Sequence, residues 1–105
     1  MHIQIINFHL RGVSEAYWRA HADEAAPVFA EVPGLVSKVW LANPTTKTYG
    51  AVYTWASREA MDEYAKSDLF KAVATNPNFA GITSTDFDVL EDPTRVTRGL
   101  AEVPA

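Results

Sequence analysis

The first segment of the chain is apolar on both of its faces, and this feature limits the folds available to it. Residues 2–10 show no helical period and are rich in β-branched side chains, so they are predicted to form a strand. Ile3 and Ile5 would lie on one face of that strand, and Ile6 and Phe8 on the other. A strand of this kind needs protein on both sides of its sheet.

The rest of the chain alternates strands and helices. Strands are predicted at residues 35–42, 48–55 and 82–90, helices after the capping residues Ser14 and Ser57, and a further helical turn at residues 68–74. The order β-α-β-β-α-β is that of the ferredoxin-like α+β fold. It predicts a four-stranded antiparallel sheet with both helices on one face.

The face without helices needs a different cover. Because no third long helix is predicted, two sheets packed face to face in a homodimer are the simplest arrangement, which gives a dimeric α+β barrel. A chain of 105 residues has room for one domain, which we predict at residues 1–92. Residues 93–105 are predicted to form an extended tail that lies at the dimer contact.

Composition excludes several kinds of site and partner. The chain has no cysteine, which excludes disulfide frameworks, cysteine zinc sites and iron–sulfur clusters. Nine Lys and Arg stand against 13 Asp and Glu with no basic block among the aromatic residues, which argues against nucleic acid as a partner. No apolar run approaches the ~18 residues of a membrane span, and residues 1–10 lack the basic start of a signal peptide. We therefore expect a cytoplasmic protein with no membrane partner.

Short catalytic motifs are missing from the sequence. There is no Gly-x-Ser-x-Gly elbow for a serine nucleophile and no glycine-rich loop for phosphate groups. The three histidines, His2, His9 and His21, do not have metal-ligand spacing. From these absences we expect neither a bound metal nor an organic cofactor.

A set of aromatic side chains remains as a candidate site. Trp40, Tyr53 and Trp55 lie on the paired strands, and Trp18, His21, Phe29 and Tyr64 lie on the helices that cover them. These residues either form the core or line a flat pocket between sheet and helices, and the sequence leaves both interpretations open. In a pocket, Asn7, His21 or Tyr53 would supply the orienting hydrogen bonds.

Three charged residues lie inside predicted strands, namely Lys38, Asp86 and Asp88. Exposure to solvent or a cross-strand ion pair is the favoured interpretation for each, with a pocket mouth or a dimer contact as the alternative. Lys38 and Trp40 are two residues apart and are therefore expected on the same face of their strand.

Four segments of the chain resemble one known family. They are Pro33-Gly34 with Lys38 and Trp40, Asn7-Phe8, Gly50 with Tyr53 and Trp55, and Phe87-Asp88-Val89 followed by Pro93. From Ile3 to Gly99 the chain resembles the YdhR-type monooxygenase family of the dimeric α+β barrel superfamily. The resemblance implies a ferredoxin-like protomer, a homodimer and a small monooxygenase.

The resemblance also implies a chemistry. Related barrel enzymes oxidise phenolic or quinone-like compounds without metal, flavin or haem, so a cofactor-independent oxygenase with molecular oxygen as co-substrate is implied. The protein would bind the aromatic ring, favour its deprotonated form and exclude water. We expect His21, Tyr53 and Asn7 to act on a small aromatic or polycyclic substrate, and Trp18, Trp40, Trp55, Phe29 and Tyr64 to bind it.

Two other functions are compatible with the same residues. A cyclase or isomerase would act on a polyketide-like substrate without oxidation, with His21 as general base and Tyr53 as its partner. A ligand-binding module would hold a small aromatic molecule without turnover.

Overall fold

The computed structural model describes residues 1–100 and confirms the predicted ferredoxin-like α+β fold. Its elements are β1 (His2–Leu10), α1 (Glu15–Ala30), β2 (Leu35–Asn43), β3 (Thr48–Trp55), α2 (Arg58–Ala65), α3 (Asp68–Ala74), β4 (Phe79–Asp88) and α4 (Glu91–Val96). The four strands form one antiparallel sheet in the order β2-β3-β1-β4. The two terminal strands are thus adjacent, and β2 and β4 are the edges.

Serine side chains set the beginnings of three helices. The hydroxyl oxygen of Ser14 accepts a hydrogen bond from the Tyr17 amide, and Ser57 and Ser67 cap α2 and α3 in the same way. Each cap satisfies a backbone donor that has no partner inside the first turn. The longest helix, α1, has 16 residues, and no helix within residues 1–100 is both long and apolar enough to cross a membrane.

The end of the chain differs from the prediction in two places. Strand β4 runs from Phe79 to Asp88 instead of over residues 82–90, and it continues through a bulge at Gly81, which adopts a φ of +63° where the register between β1 and β4 shifts. The extended tail predicted for residues 93–105 is wrong for residues 93–96, which belong to helix α4. Residues 101–105 of that predicted tail lie outside the described residues.

The two faces of the sheet have different surroundings. One face packs under the helices and forms the core with residues Ile6, Phe8, Trp18, Phe29, Tyr49, Ala51, Tyr53, Trp55, Met61, Tyr64 and Phe79. The opposite face, which we call the open face, carries Ile3, Ile5, Val39, Val52 and Phe87. Val39 is 57% exposed and Phe87 is 56% exposed, so this apolar face is not covered within residues 1–100.

We predict that Gly50→Ala strongly destabilises the fold. Gly50 lies opposite Asn7 with a φ of +150°, and a β-carbon at this position would overlap the carbonyl oxygen of Ile6. That oxygen belongs to the backbone of a central strand and cannot move aside. We therefore expect the free energy of unfolding to fall by about 3 kcal/mol or more, as measured by chemical denaturation.

Gly12→Ala is the matched control for this substitution. Gly12 has a φ of +73°, and nothing lies within 4 Å of the position of an added β-carbon. We expect only the ordinary cost of a left-handed conformation, about 1–2 kcal/mol. Equal losses in the two variants would contradict the close approach of β1 and β3 at Gly50.

Candidate functional site

A small cavity lies between the sheet and the helices. Its lining comprises Ile6, Phe8, Trp18, Phe29, Lys38, Trp40, Gly50, Ala51, Tyr53, Val73 and Phe79. The cavity has a volume of about 20 Å³, which is room for about one water molecule. Four residues predicted to be at the site, Trp18, Phe29, Trp40 and Tyr53, therefore meet around one space.

The aromatic side chains of the lining hold one another in place. The Trp18 ring lies 5.8 Å from the Trp40 ring, and Phe29 meets Trp40 edge to face at 5.6 Å between centroids. The indole N–H of Trp18 donates a hydrogen bond of 3.1 Å to the carbonyl oxygen of Leu41. Edge-to-face pairs and a satisfied indole fix ring orientation, so the walls of the cavity are preorganised.

Lys38 occupies the centre of this aromatic group. Its Nζ atom lies 3.1 Å from the ring centroid of Phe29, 3.6 Å from that of Trp40 and 4.6 Å from that of Tyr53. We call these three rings the aromatic cage. The predicted common direction of Lys38 and Trp40 is confirmed, whereas the favoured interpretation of Lys38 as exposed or ion-paired is wrong.

The cage changes the acid–base behaviour of Lys38. Burial lowers the pKa of the Lys38 ammonium to about 6. The ring faces favour the charged form by about 0.5–2 kcal/mol each, but removing an ammonium ion from water costs several kcal/mol. None of the ion pairs within residues 1–100 includes Lys38. The neutral amine therefore predominates near neutral pH.

A groove on the surface leads to the same amine. It runs between the second half of α1 and the edge strand β2, has a volume of about 390 Å³, and is lined by Ala26, Phe29, Ala30, Leu35, Val36, Ser37, Lys38 and Trp40. Phe29, Lys38 and Trp40 line both the groove and the cavity. Lys38 thus stands between the interior of the protein and a space large enough for a small ring compound.

Two tyrosines lie beyond the cage. Burial raises the pKa of Tyr53 strongly, the neighbouring Tyr64 raises it further, and burial also raises the pKa of Tyr64. The two ring centroids are 5.7 Å apart, but the buried Tyr64 hydroxyl makes no hydrogen bond within the described chain. Both hydroxyls are therefore neutral, and that of Tyr64 is an unsatisfied polar group.

Three other predicted site residues do not line the cavity. Trp55 stacks in parallel on Tyr53 at 5.8 Å and is fully buried, and Tyr64 packs on both of these rings. His21 stacks on Trp18 at 5.9 Å. Burial lowers the pKa of His21, nearby Lys38 lowers it further, and Glu24 opposes the shift. The imidazole is therefore neutral at the edge of the site.

The predicted role of Asn7 at this pocket is wrong. Strand β1 alternates, and Ile6 and Phe8 point towards the helices and line the cavity. Asn7 lies between them and faces the opposite side of the sheet, with Gly50 and Thr83 as its paired neighbours. It cannot orient a ligand beneath α1.

A polar cluster built on the buried side chains of His2 and Gln4, on the helix-covered face of β1, was not predicted as a unit. The two ring nitrogens of His2 contact Asp88 at 3.0 Å and Asp86 at 2.6 Å. Gln4 accepts a hydrogen bond from the Trp55 indole and donates one to Ser84. The favoured interpretation of Asp86 and Asp88 as exposed or paired across strands is confirmed, since both carboxylates contact His2 and the Asp88 side chain is 91% exposed. No group of three potential metal ligands is found within residues 1–100.

Residues 3–100 of the chain match the model of one protein family, which is described as "Putative mono-oxygenase ydhR". The chain belongs to this family. The match confirms the resemblance carried by the four short segments and covers the same part of the chain as predicted. A search of curated proteins finds no significant match.

Solved structures of several proteins have the same fold. MhuD from Mycobacterium tuberculosis, a haem degrader, is 21% identical, with a TM-score of 0.71 over 88% of this chain and 98% of that one. A "putative antibiotic biosynthesis monooxygenase" from Deinococcus radiodurans is 14% identical, with a TM-score of 0.72 over 87% and 94% of the chains. SnoaB, a cofactor-independent oxygenase from Streptomyces nogalater, is 20% identical, with a TM-score of 0.66 over 86% and 94%. At these identities the likeness shows the fold alone.

The prediction that no cofactor is used is contradicted by these structures. MhuD, which has this fold, carries two haems in its active site. The absence of short cofactor motifs is therefore no guide to cofactor use in proteins of this fold.

The residues at the cavity and groove do not themselves fit a haem. A porphyrin is many times larger than the one water molecule for which the cavity has room. Haem iron is ligated by His, Cys, Met or Tyr, and of these only Tyr53 lines the cavity and none lines the groove. We assign no haem-dependent step to these residues.

We predict that Lys38 makes stability depend on pH between about 6 and 10. The Lys38 pKa is about 6 in the folded protein and about 10.4 when unfolded, so within this range the unfolded chain binds one more proton. Stability therefore rises with pH, by up to about 1.4 kcal/mol per pH unit, and this contribution is flat below pH 6. Denaturation of wild type and Lys38→Met at about pH 5 to about pH 9 isolates the contribution of Lys38 to the free energy of unfolding.

Lys38→Met is the reference because it keeps an unbranched side chain only one heavy atom shorter and removes the titrating amine. We expect this variant to be more stable than wild type, with the largest difference at and below pH 6. Parallel stability curves for the two proteins would contradict a desolvated amine.

Proposed function

We propose that the protein is a mono-oxygenase that acts on a small planar aromatic compound with a ring hydroxyl, such as a phenol or hydroquinone. The observation that carries the proposal is the aromatic cage, which places one amine among three rings between a cavity and a groove. The family match supports the oxygenase class, and the aromatic lining supports the substrate class.

The groove between α1 and β2 would receive the substrate ring. Phe29 and Trp40 present aromatic surface to it, and each stacking or edge contact is worth about 0.5–1.5 kcal/mol beyond the area that it buries. A ring against Trp40 would have its hydroxyl near the Lys38 amine and would displace water from the mouth of the cavity. Removal of water strengthens every polar contact of the substrate at this point.

A non-oxidative cyclase or isomerase has less support. The family match is to a mono-oxygenase, and His21, the predicted base of such a cyclase, lines neither the cavity nor the groove. A binding module without turnover would use the same groove, so only a measurement of turnover separates it from an oxygenase.

We predict that the purified full-length protein consumes oxygen when supplied with a panel of hydroquinones and naphthols that includes members with a carbonyl group conjugated to the ring. An oxygen electrode measures the uptake, and mass spectrometry finds products that have gained oxygen. Product that forms equally well without oxygen would indicate a cyclase or isomerase. Binding without oxygen uptake or product would indicate a ligand-binding module.

We predict that Ala26→Leu lowers kcat/KM on any substrate so found. Ala26 is half-buried in the wall of the groove, and the added carbon atoms would narrow it. The expected loss is about tenfold, equal to about 1.4 kcal/mol. Ala20→Leu adds the same atoms at an exposed position of the same helix and should change nothing. Equal kcat/KM in both variants would place the substrate elsewhere.

We also propose that the protein is a homodimer joined through the open face. Val39 and Phe87 are more than half exposed there, and a contiguous apolar surface of this kind marks an interaction site. Leu90, which precedes α4, and Pro93, which lies within it, border the same face. The segment after residue 92 is therefore proposed to lie at the contact. In a two-fold dimer the patch would pack against its own copy.

Val39→Glu should therefore produce a monomer. A carboxylate at the contact would be buried without a partner, which costs several kcal/mol per subunit. Sedimentation at micromolar concentration measures the mass. Val28→Glu is the matched control, because Val28 is 55% exposed but lies on α1, on the other side of the sheet. A wild-type protein that sediments as a monomer would exclude the dimer.

A further inference from the structure

We propose that Lys38 takes the proton from the ring hydroxyl of the bound substrate and then pairs with the resulting anion, so that the protein selects hydroxyls made acidic by a conjugated carbonyl or nitro group. The inference rests on the proposed function, from which it takes the aromatic ligand and the groove. It names the proton acceptor and narrows the substrate class.

The aromatic cage is an incomplete site for an ammonium ion. Three ring centroids lie within 4.6 Å of the Nζ atom of Lys38, and such ring faces stabilise a cation. They carry no net negative charge, and no carboxylate within residues 1–100 forms an ion pair with Lys38. An anion from outside the chain would complete the site.

The groove gives such an anion a route to the amine. Among the residues that line the groove, Lys38 has the one ionisable side chain, and the others are apolar apart from Ser37. A planar ligand in the groove would therefore meet one charge-forming group. That group lies between the rings of Phe29 and Trp40, against which the ligand packs.

The proton transfer is balanced by the substrate and the amine alone. The O–H bond of the ring hydroxyl breaks, its electron pair stays on oxygen, and the proton forms a new N–H bond on the lone pair of Lys38. A neutral hydroxyl and a neutral amine become a phenolate and an ammonium ion in contact. The ring faces stabilise the ammonium, and the ammonium stabilises the phenolate.

No other titratable group at the site competes with this amine. Burial lowers the pKa of His21 on α1, and its neutral imidazole lines neither the cavity nor the groove, so it does not reach a ligand there. Glu24, on the same helix, acts on His21. Tyr53 on β3 and Tyr64 on α2 are neutral because burial raises their pKa values. The ligand anion is therefore the counter-ion of the ammonium that forms on Lys38.

The basicity of the amine explains the choice of hydroxyl. Burial lowers the Lys38 pKa to about 6, whereas an ordinary phenol has a pKa of about 10, so proton transfer between them is about ten-thousand-fold unfavourable before they attract each other. Attraction within the ion pair recovers part of this difference. A carbonyl or nitro group conjugated with the ring lowers the pKa of the hydroxyl and so removes most of the pKa difference that the ion pair does not offset.

4-Nitrophenol is a direct probe of this step, because its phenolate absorbs visible light and its neutral form does not. We expect the full-length protein to bind it as the phenolate at a pH where the free compound is mostly neutral. The apparent pKa of the bound probe should fall by at least one unit, a tenfold change, read from visible absorbance against pH. Lys38→Met should abolish this fall and weaken binding about tenfold or more.

Three controls separate ionisation from packing. 4-Nitroanisole cannot ionise and should bind wild type and Lys38→Met equally, which also reports that the variant is folded. Lys38→Arg keeps a positive charge but has no lone pair to accept a proton, so it should bind only probe that is already ionised, and its affinity should fall as the pH drops below the pKa of the free probe. Lys71→Met removes an exposed lysine from α3 and should behave as wild type.

The results distinguish this inference from the proposed function. A probe that binds wild type and Lys38→Met with the same apparent pKa, or not at all, would overturn the inference, and so would undiminished oxygen uptake by Lys38→Met. Ionised binding that depends on Lys38 supports the inference even when no substrate consumes oxygen. In that case the oxygenase function fails, and the acid-selective site stands.

Discussion

Strand alternation in β1 and β3 divides the apolar residues of the chain between two layers, and the rest of the structure depends on that division. Ile6 and Phe8 of β1 lie beneath the helices, with Tyr53 and Trp55 of β3 beside them. The intervening residues face the open side of the sheet. Because a shift of one residue would exchange the two sets, the register of this central pair fixes both the core and the open face.

The parts of the fold that could be predicted from the sequence are those with local causes. Strand alternation and serine caps act within a few residues, and the starts of β1, α1 and α2 follow from them. The start of β4 could not be predicted in this way, because the bulge at Gly81 depends on how β4 pairs with β1. Helix α4 was missed for a related reason, since its proline-containing segment also suits an extended chain.

The candidate site was predictable in composition but not in arrangement. Both faces of β1 are apolar, so the sequence did not reveal which face the helices cover, and Asn7 was placed on the wrong one. Lys38 has the local sequence of a solvent-facing strand residue. It is enclosed only because α1 brings Phe29 over the edge strand, a contact that no short-range pattern contains. The two-residue spacing from Trp40 was the one available signal.

The packing around Lys38 is unfavourable for folding and favourable for binding an acid. An amine without an anionic partner is desolvated there, and a methionine would fill the same space without that cost. The unpaired hydroxyl of Tyr64, on a ring next to Tyr53, adds a second unsatisfied polar group to the same layer. Groups whose ionisation is disturbed by burial concentrate where proteins bind and react. An anionic ring against the cage would supply the negative charge that the Lys38 ammonium lacks. The desolvation that destabilises the folded protein would then be offset when the ligand binds.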